Sequence, residues 1–170
     1  MYDLLRMRST VYCFVIVVSK LCQTLAWELT VLHTNDVHSR FERKNLLGGP
    51  CSADDMANNE CFGGAARRLT AVKNIRAKKE NVLLLDGGDQ FQGTIWYTIL
   101  KWEPIAQVIK ALKYDAMAFG NHEFDDGLEG LVPYLQNVTS DIPFINSNIN
   151  AEGSTLQGAA LFIYFFILEC

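Results

Sequence analysis

The 170-residue sequence has little of several features that mark particular classes of protein. Basic side chains number 15 against 19 acidic ones, a net charge of −4. We therefore expect no nucleic-acid polymer among its partners, because such binding needs clustered lysine and arginine. No apolar run approaches the ~20 residues that cross a bilayer as a helix, and repeats and low-complexity linkers are absent. The overall composition, with 49% apolar and 11% aromatic residues, is typical of a globular domain.

Residues 1–26 have the pattern of a secretory signal peptide. Arg6 and Arg8 precede an unbroken apolar run over 11–18, and the small residues before Trp27 predict cleavage there. A membrane anchor is one alternative, but this run is too short to span a bilayer. A buried strand is another, and it would not explain the two arginines. We therefore expect a secreted, extracellular product.

Removal of the signal would leave 144 residues with a net charge of −6 and three cysteines, Cys51, Cys61 and Cys170. In an oxidising compartment, Cys51 and Cys61 are candidates for a short-loop disulfide, with two free thiols in a mobile loop as the alternative. Asn137 begins an Asn-Val-Thr glycosylation sequon, which agrees with secretion.

The last residues, 159–170, form an apolar tail of uncertain origin. The apolar run after Gly158 is short for a membrane-spanning helix, and the polar spacer of a lipid-anchor signal is weak. A core strand separated from its sheet, a translated intron and a premature stop are the alternatives, and we expect truncation or read-through. The expected organisation is a signal peptide over 1–26, a domain over 27–158 and this tail.

Strand and helix patterns alternate between the two ends. Strands are predicted over 28–34, 82–85, 115–119 and 143–146. Amphipathic helices are predicted around residues 65–76, 105–112 and 128–135. The run over 82–85 is continuously apolar, which predicts a strand covered on both faces. The alternation predicts an α/β fold with a largely parallel sheet and helical crossovers.

Polar clusters directly follow three of these strands: Asp36-Val37-His38, Gly88-Asp89 and Gly120-Asn121-His122-Glu123. The carboxyl ends of parallel strands share one edge, so these residues can converge there. The candidate ligands are Asp36, His38, Asp89 and Asn121. This set of oxygen and nitrogen atoms without a thiolate suits Zn²⁺, Mn²⁺ or Fe, and a carboxylate can bridge two ions about 3.5–4 Å apart. N-caps and turns are the alternative for each cluster alone, but three clusters in order favour a metal site.

These motifs resemble the metallophosphoesterase domain of the 5′-nucleotidase family, most closely its animal ecto-enzyme and secreted apyrase-like branches. They are residues 32–40 (LHTNDVHSR), 85–94 (LDGGDQFQGT) and 120–125 (GNHEFD). The resemblance extends from Trp27 to about Asn150. It implies a calcineurin-like metallophosphoesterase fold, a layered α/β/β/α sandwich of which this chain has only the N-terminal part.

The resemblance also implies roles for individual ligands. Asp36 and His38 would bind a first divalent ion. Asp89 would bridge this ion and a second one, which Asn121 would also bind. Zinc is the expected metal at both positions, with manganese or another divalent ion as the alternative.

His122, paired with Asp125, would stabilise the charge that develops on the phosphate. Asp125 can hold one imidazole nitrogen and favour the protonated ring, whose other N–H donates to a phosphoryl oxygen or leaving group. The implied reaction removes phosphate from nucleoside 5′-monophosphates, AMP to adenosine, through a metal-activated water. An apyrase-type hydrolase of ADP and ATP and a non-catalytic secreted fragment are the alternatives.

The chain also departs from the family. Family members are far longer, and two histidines that complete the second metal site come later, whereas no histidine follows His122 here. The domain that holds the nucleoside is missing, and residues 161–170 do not resemble the family's continuation. We therefore expect little or no nucleotidase activity from this chain, and membrane anchoring only in a full-length form. His33, inside the first predicted strand, is expected to be a core or flanking residue and not a ligand.

Overall fold

The computed structural model describes residues 27–159 together with the backbone of residues 162–163. The predicted signal peptide and the rest of the predicted tail lie outside these residues. The described chain forms a sheet of five parallel strands, arranged in chain order. The strands are β1 (Thr30–Thr34), β2 (Val82–Asp86), β3 (Ala116–Met117), β4 (Phe144–Ile145) and β5 (Phe162–Ile163). The predicted α/β fold with a parallel sheet is confirmed.

Helices connect most of the strands. They are α1 (Ala53–Ala57), α2 (Ala65–Arg76), α3 (Ile95–Leu100), α4 (Glu103–Leu112) and α5 (Gly127–Val138), with a 3₁₀ turn at His122–Phe124. The sequence pattern predicts α2, α4 and α5. It does not predict α1, a short helix that begins with a capping box between Ser52 and Asp55, or α3, which leaves most of its apolar residues exposed. None of the helices in the described residues has both the length and the apolar character needed to cross a membrane.

β3 and β4 are shorter than the predicted strands. β3 has two residues, which pair with the last two residues of β2, and Met117 pairs with Phe144 of β4. The chain then leaves the sheet and forms the loop that carries the third polar cluster.

Part of the predicted tail belongs to the sheet. Phe162 pairs in parallel with Phe144, and Ile163 pairs with Ile145. This observation fits the core-strand alternative for these two residues.

The two faces of the sheet differ in burial. One face packs against the helices, and its core includes Leu84, Ile105, Ile109, Leu131, Leu135 and Phe144. On the other face, Val31 and Leu83 lie side by side and expose 52% and 38% of their surface. The prediction that residues 82–85 are covered on both faces is therefore wrong for the described part of the chain, because an apolar run does not show which layers are present. His33 is exposed on this open face, which fits a flanking residue.

A disulfide closes the loop between β1 and α2. It joins Cys51 to Cys61, whose Cα atoms are 5.9 Å apart, and Cys61 is buried. The pairing agrees with the prediction from the sequence. Its loop leads directly into α2, which packs against α4 and β2.

Tyr134 in α5 is fully buried, and its hydroxyl has no hydrogen-bond partner among the described residues. An unpaired buried polar group costs about 1–3 kcal/mol, so we expect Tyr134→Phe to raise the free energy of unfolding by about 1 kcal/mol. Urea denaturation followed by circular dichroism measures this change. Tyr114→Phe is the matched control and should lower stability, because the Tyr114 hydroxyl bonds the Thr34 hydroxyl at 2.7 Å. A Tyr134→Phe protein less stable than the wild type would contradict the prediction.

Candidate metal centre and active site

Three loops at the carboxyl edge of the sheet bring the polar clusters together. Loop A (35–41) follows β1, loop B (87–94) follows β2 and loop C (118–125) follows β3. Loops A and B stay paired beyond their strands. The amide of Asp36 donates to the carbonyl of Gly88 at 3.0 Å. The amide of His38 donates to the carbonyl of Asp89 at the same distance, so each loop A ligand is aligned with loop B.

Ligand atoms of His38, Asp89 and His122 lie within 4.8 Å of one another. The rings of His38 and His122 meet edge to face, with centres 5.2 Å apart. Asp36 adjoins this group, since its Oδ1 lies 3.6 Å from Nε2 of His38. We call these four residues the candidate cluster. It contains three of the four predicted ligands together with His122.

Asn121 is the fourth predicted ligand. It is exposed and lies at the start of the 3₁₀ turn, directly before His122. Its side chain does not cap that turn and makes no hydrogen bond within the described part of the chain. The amide oxygen is thus free to bind a ligand at the edge of the candidate cluster.

A backbone contact orients His38. Its Nδ1 lies 3.1 Å from the carbonyl oxygen of Phe91. Because a carbonyl only accepts, Nδ1 is the donor of this contact, and Nε2 is the nitrogen left for a metal ion. Nε2 is the nitrogen closest to Asp36. This arrangement is typical of metal-binding histidines, whose second ring nitrogen is held by a carbonyl or carboxylate.

Three residues of the candidate cluster have a strained backbone. Asp36, His38 and Asp89 have φ angles of 51°, 49° and 57°, in the left-handed region. This conformation costs a non-glycine residue about 1–2 kcal/mol. Such strain persists where the surrounding structure determines the backbone, and it is common at functional sites. Here the paired backbones of loops A and B hold the strained residues in place.

Loops B and C meet through two glycines. A Cβ added to Gly88, whose φ is 96°, would lie 2.1 Å from the amide nitrogen of Gly120. A Cβ added to Gly120 would lie 2.0 Å from Oδ1 of Asp89. That same oxygen accepts a hydrogen bond from the amide of His122 at 2.9 Å. The absence of two side chains therefore determines how closely Asp89 approaches His122.

His122 and Asp125 form a close pair. Nδ1 of His122 lies 2.7 Å from Oδ2 of Asp125. This hydrogen bond is the main reason that the pKa of His122 is raised above its ordinary value, because it favours the protonated ring. Nε2–H of that ring remains available to an anionic ligand.

Two buried carboxylates at this edge, Asp86 and Glu123, are functional candidates that the sequence pattern did not predict. Oδ2 of Asp86 accepts from the Thr34 hydroxyl at 2.5 Å and from the Gln90 side-chain amide at 2.7 Å. Burial raises the pKa of Asp86 to about 6. Glu123 accepts from backbone amides of loops B and C. The only sequence signal for either residue was its place beside a strand end or a candidate ligand.

An open cavity of about 430 Å³ adjoins Asp36. Its lining includes Arg40, Arg67 and Arg68. Nε of Arg68 is buried without a hydrogen-bond partner in the described residues. These positive side chains favour an anionic ligand next to the candidate cluster.

Comparisons with known proteins agree with this geometry. Residues 29–164 match the family model described as calcineurin-like phosphoesterase. The chain is 51% identical to the 5′-nucleotidase of Homo sapiens over 129 residues, which are 75% of this chain and 21% of that protein. It is 50% identical to the snake venom 5′-nucleotidase of Naja atra over 129 residues, 75% of this chain and 23% of the relative.

A solved structure is also similar. The crystal structure of the 5′-nucleotidase precursor from Thermus thermophilus has a TM-score of 0.66 and 32% sequence identity, covering 78% of this chain and 24% of that one. The chain therefore spans less than a quarter of the length of these relatives.

Proposed function

We propose that this chain carries the first part of a 5′-nucleotidase active site. It belongs to the calcineurin-like phosphoesterase family, because the model of that family matches residues 29–164. The proposed reaction removes phosphate from nucleoside 5′-monophosphates, with AMP as substrate. The observation that carries it is the meeting of His38, Asp89 and His122 at the ends of three parallel strands. The relatives named 5′-nucleotidase favour a monophosphate over the ADP and ATP of an apyrase.

The donor set fits a divalent ion. Imidazole nitrogens and carboxylate oxygens without a thiolate suit zinc, which is the metal we propose. Asp36, His38 and Asp89 would hold the first ion, and Asp89 with Asn121 would contribute to a second. When bound, such ions would supply Lewis acidity, which lowers the pKa of a bound water and neutralises phosphate charge.

His122 and Asp125 would act on the substrate directly. Asp125 holds Nδ1 of His122 at 2.7 Å and raises the pKa of the ring. The protonated ring can then donate from Nε2 to a phosphoryl oxygen or to the leaving oxygen, where negative charge develops. Arg40 and Arg68 in the adjoining cavity would attract the phosphate toward this position.

The second ion has few ligands in this chain. Among the described residues, Asp89 and Asn121 are its only proposed ligands. We therefore propose that the chain binds one divalent ion firmly and a second one weakly. Catalysis that needs both ions would then be slow with these two ligands alone.

Zinc titration of the metal-free chain tests the site. We expect isothermal titration calorimetry of residues 27–170 to show one tight site, and Asp89→Ala to weaken it by about 100-fold, because Asp89 is central to the candidate cluster. Asp141→Ala removes an exposed carboxylate far along the chain and should leave the affinity unchanged. Equal zinc affinities of the wild type and Asp89→Ala would refute the site. For comparison, loss of a residue that merely orients a metal ligand lowers metal affinity by about 10–100-fold.

Nucleotide binding tests the substrate. The zinc-loaded chain should bind AMP more tightly than adenosine, because recognition depends on the phosphate, and calorimetry compares the two directly. Phosphate release from AMP should be slow and should disappear in Asp89→Ala. Equal affinity for adenosine and AMP would exclude phosphate recognition, and rapid release of phosphate would contradict the weak second ion.

We also propose that the protein is secreted. The Cys51–Cys61 disulfide and the exposed Asn137 sequon in α5 support an oxidising, glycosylating compartment. Expression of the full chain in cultured animal cells should give a glycoprotein in the medium that begins at Trp27, with a mass that falls in Asn137→Gln. Mass spectrometry measures both features. A cell-retained product that still begins at Met1 would contradict secretion.

A further inference from the structure

We propose that Glu123 is a positioning residue for the candidate cluster: its buried carboxylate binds backbone amides of loops B and C together and so fixes Asp89 relative to His122. This role rests on the proposed function in one respect, that the cluster binds a metal ion. Glu123 itself would not touch metal or substrate. Glu123 is only 2% exposed, so its carboxylate is not accessible to a substrate from solvent.

Each oxygen of Glu123 has its own amide partners. Oε2 accepts from the amide of Asp89 at 2.9 Å and from the amide of Gly120 at 2.6 Å. Oε1 accepts from the amide of Gln90 at 2.7 Å, with the amide of Phe91 farther away at 3.4 Å. One carboxylate oxygen therefore joins loop B to loop C, and the other binds the continuation of loop B.

The charge of Glu123 is balanced by amides. No lysine, arginine or histidine of the described residues forms an ion pair with it. A buried carboxylate without a cation needs several hydrogen-bond donors, and converging backbone N–H groups supply them. The carboxylate and the two loops therefore depend on each other for their positions.

A second contact runs in the opposite direction. Glu123 in loop C accepts from the amide of Asp89, while Asp89 in loop B accepts from the amide of His122 at 2.9 Å. Asp89 also has a strained φ of 57°, which its neighbours must hold. Loss of the Glu123 contacts would release this strain by moving the Asp89 carboxylate away from His38 and His122.

Glu123→Gln tests the role, because glutamine keeps the shape but offers one acceptor oxygen and turns an N–H₂ group toward amide donors. We expect its zinc affinity, measured by calorimetry, to fall by about 10–100-fold, the usual effect of losing a residue that orients metal ligands. Circular dichroism should show that the variant is folded at the temperature of titration. Glu129→Gln, an exposed residue of α5 with the same change of charge, should bind zinc as the wild type does.

The outcomes separate this role from the proposed function. Unchanged zinc affinity in folded Glu123→Gln, with only a lower melting temperature, would show a purely structural residue and overturn the proposal. A wild-type chain that binds no zinc would overturn the proposed function and this role with it.

If Glu123→Gln does not fold, hydrogen exchange of the metal-free wild-type chain tests whether Glu123 holds the backbone amides of loops B and C. The amides of Asp89, Gln90 and Gly120 should exchange slowly before any metal is added, because Glu123 already binds them. Exchange of these three amides at the rate of free peptides would overturn the proposal.

Discussion

Gly120→Ala should reduce the zinc affinity of the chain by about 100-fold. The new Cβ would lie 2.0 Å from Oδ1 of Asp89 and 2.5 Å from the Asp89 amide nitrogen, whereas real Cβ contacts essentially never fall below 3.0 Å. Loops B and C would have to separate by about 1 Å. A displacement of this size costs about 10²-fold where function depends on geometry. Calorimetric titration with zinc measures the effect.

Gly49→Ala is the matched control for this substitution. Its Cβ would meet only the side chain of Asn45, at 3.4 Å or more, and its φ is not in the left-handed region. We expect zinc affinity equal to that of the wild type. If Gly120→Ala also binds zinc normally, the close approach of loops B and C is not what positions Asp89.

Phe91→Ala should cost about 3–5 kcal/mol of the free energy of unfolding, the usual range for deleting a buried aromatic ring. Phe91 is fully buried and packs against Tyr97 and Tyr134, with ring centres 5.0 Å away in both cases. The free energy of unfolding of a typical domain is only about 5–15 kcal/mol, so the variant should melt at a much lower temperature than the wild type. Denaturant titration measures the loss.

The same substitution at an exposed ring gives the comparison. Phe62 is 49% exposed, and Phe62→Ala should change stability by about 0.5 kcal/mol or less. Phe91→Ala should also weaken zinc binding, because loss of the buried ring would let loop B shift, and with it the residue 91 carbonyl that holds Nδ1 of His38. Equal stability of the two variants would mean that loop B is not anchored by its aromatic ring.

The candidate cluster was predictable because it depends on where strands end. Asp36, Asp89 and His122 each follow a strand whose apolar pattern stops just before them, and parallel strands bring such ends to one edge. The motif resemblance added the pairing of His122 with Asp125. Local pattern and family likeness therefore predicted residues that the structure brings together at this edge.

What supports those residues was not predictable, because it consists of contacts between loops far apart in sequence. Glu123 binds loop B amides about 33 residues earlier in the chain, and a single sequence does not show which amides converge on a carboxylate. Gly88 and Gly120 look like ordinary turn glycines until their backbones are seen in contact. The prediction that residues 82–85 are covered on both faces failed for a related reason. An apolar strand does not show whether a second layer covers it, and Leu83 lies on the open face.

The chain order of the five strands has a consequence for biosynthesis. Each new strand joins the edge left by the one before it, so the sheet can grow in the direction in which the ribosome delivers the chain. At roughly 5–20 residues per second, loop C follows loop A within roughly twenty seconds. All four residues of the candidate cluster are present as soon as His122 has emerged. Metal capture can thus precede synthesis of the residues that follow loop C.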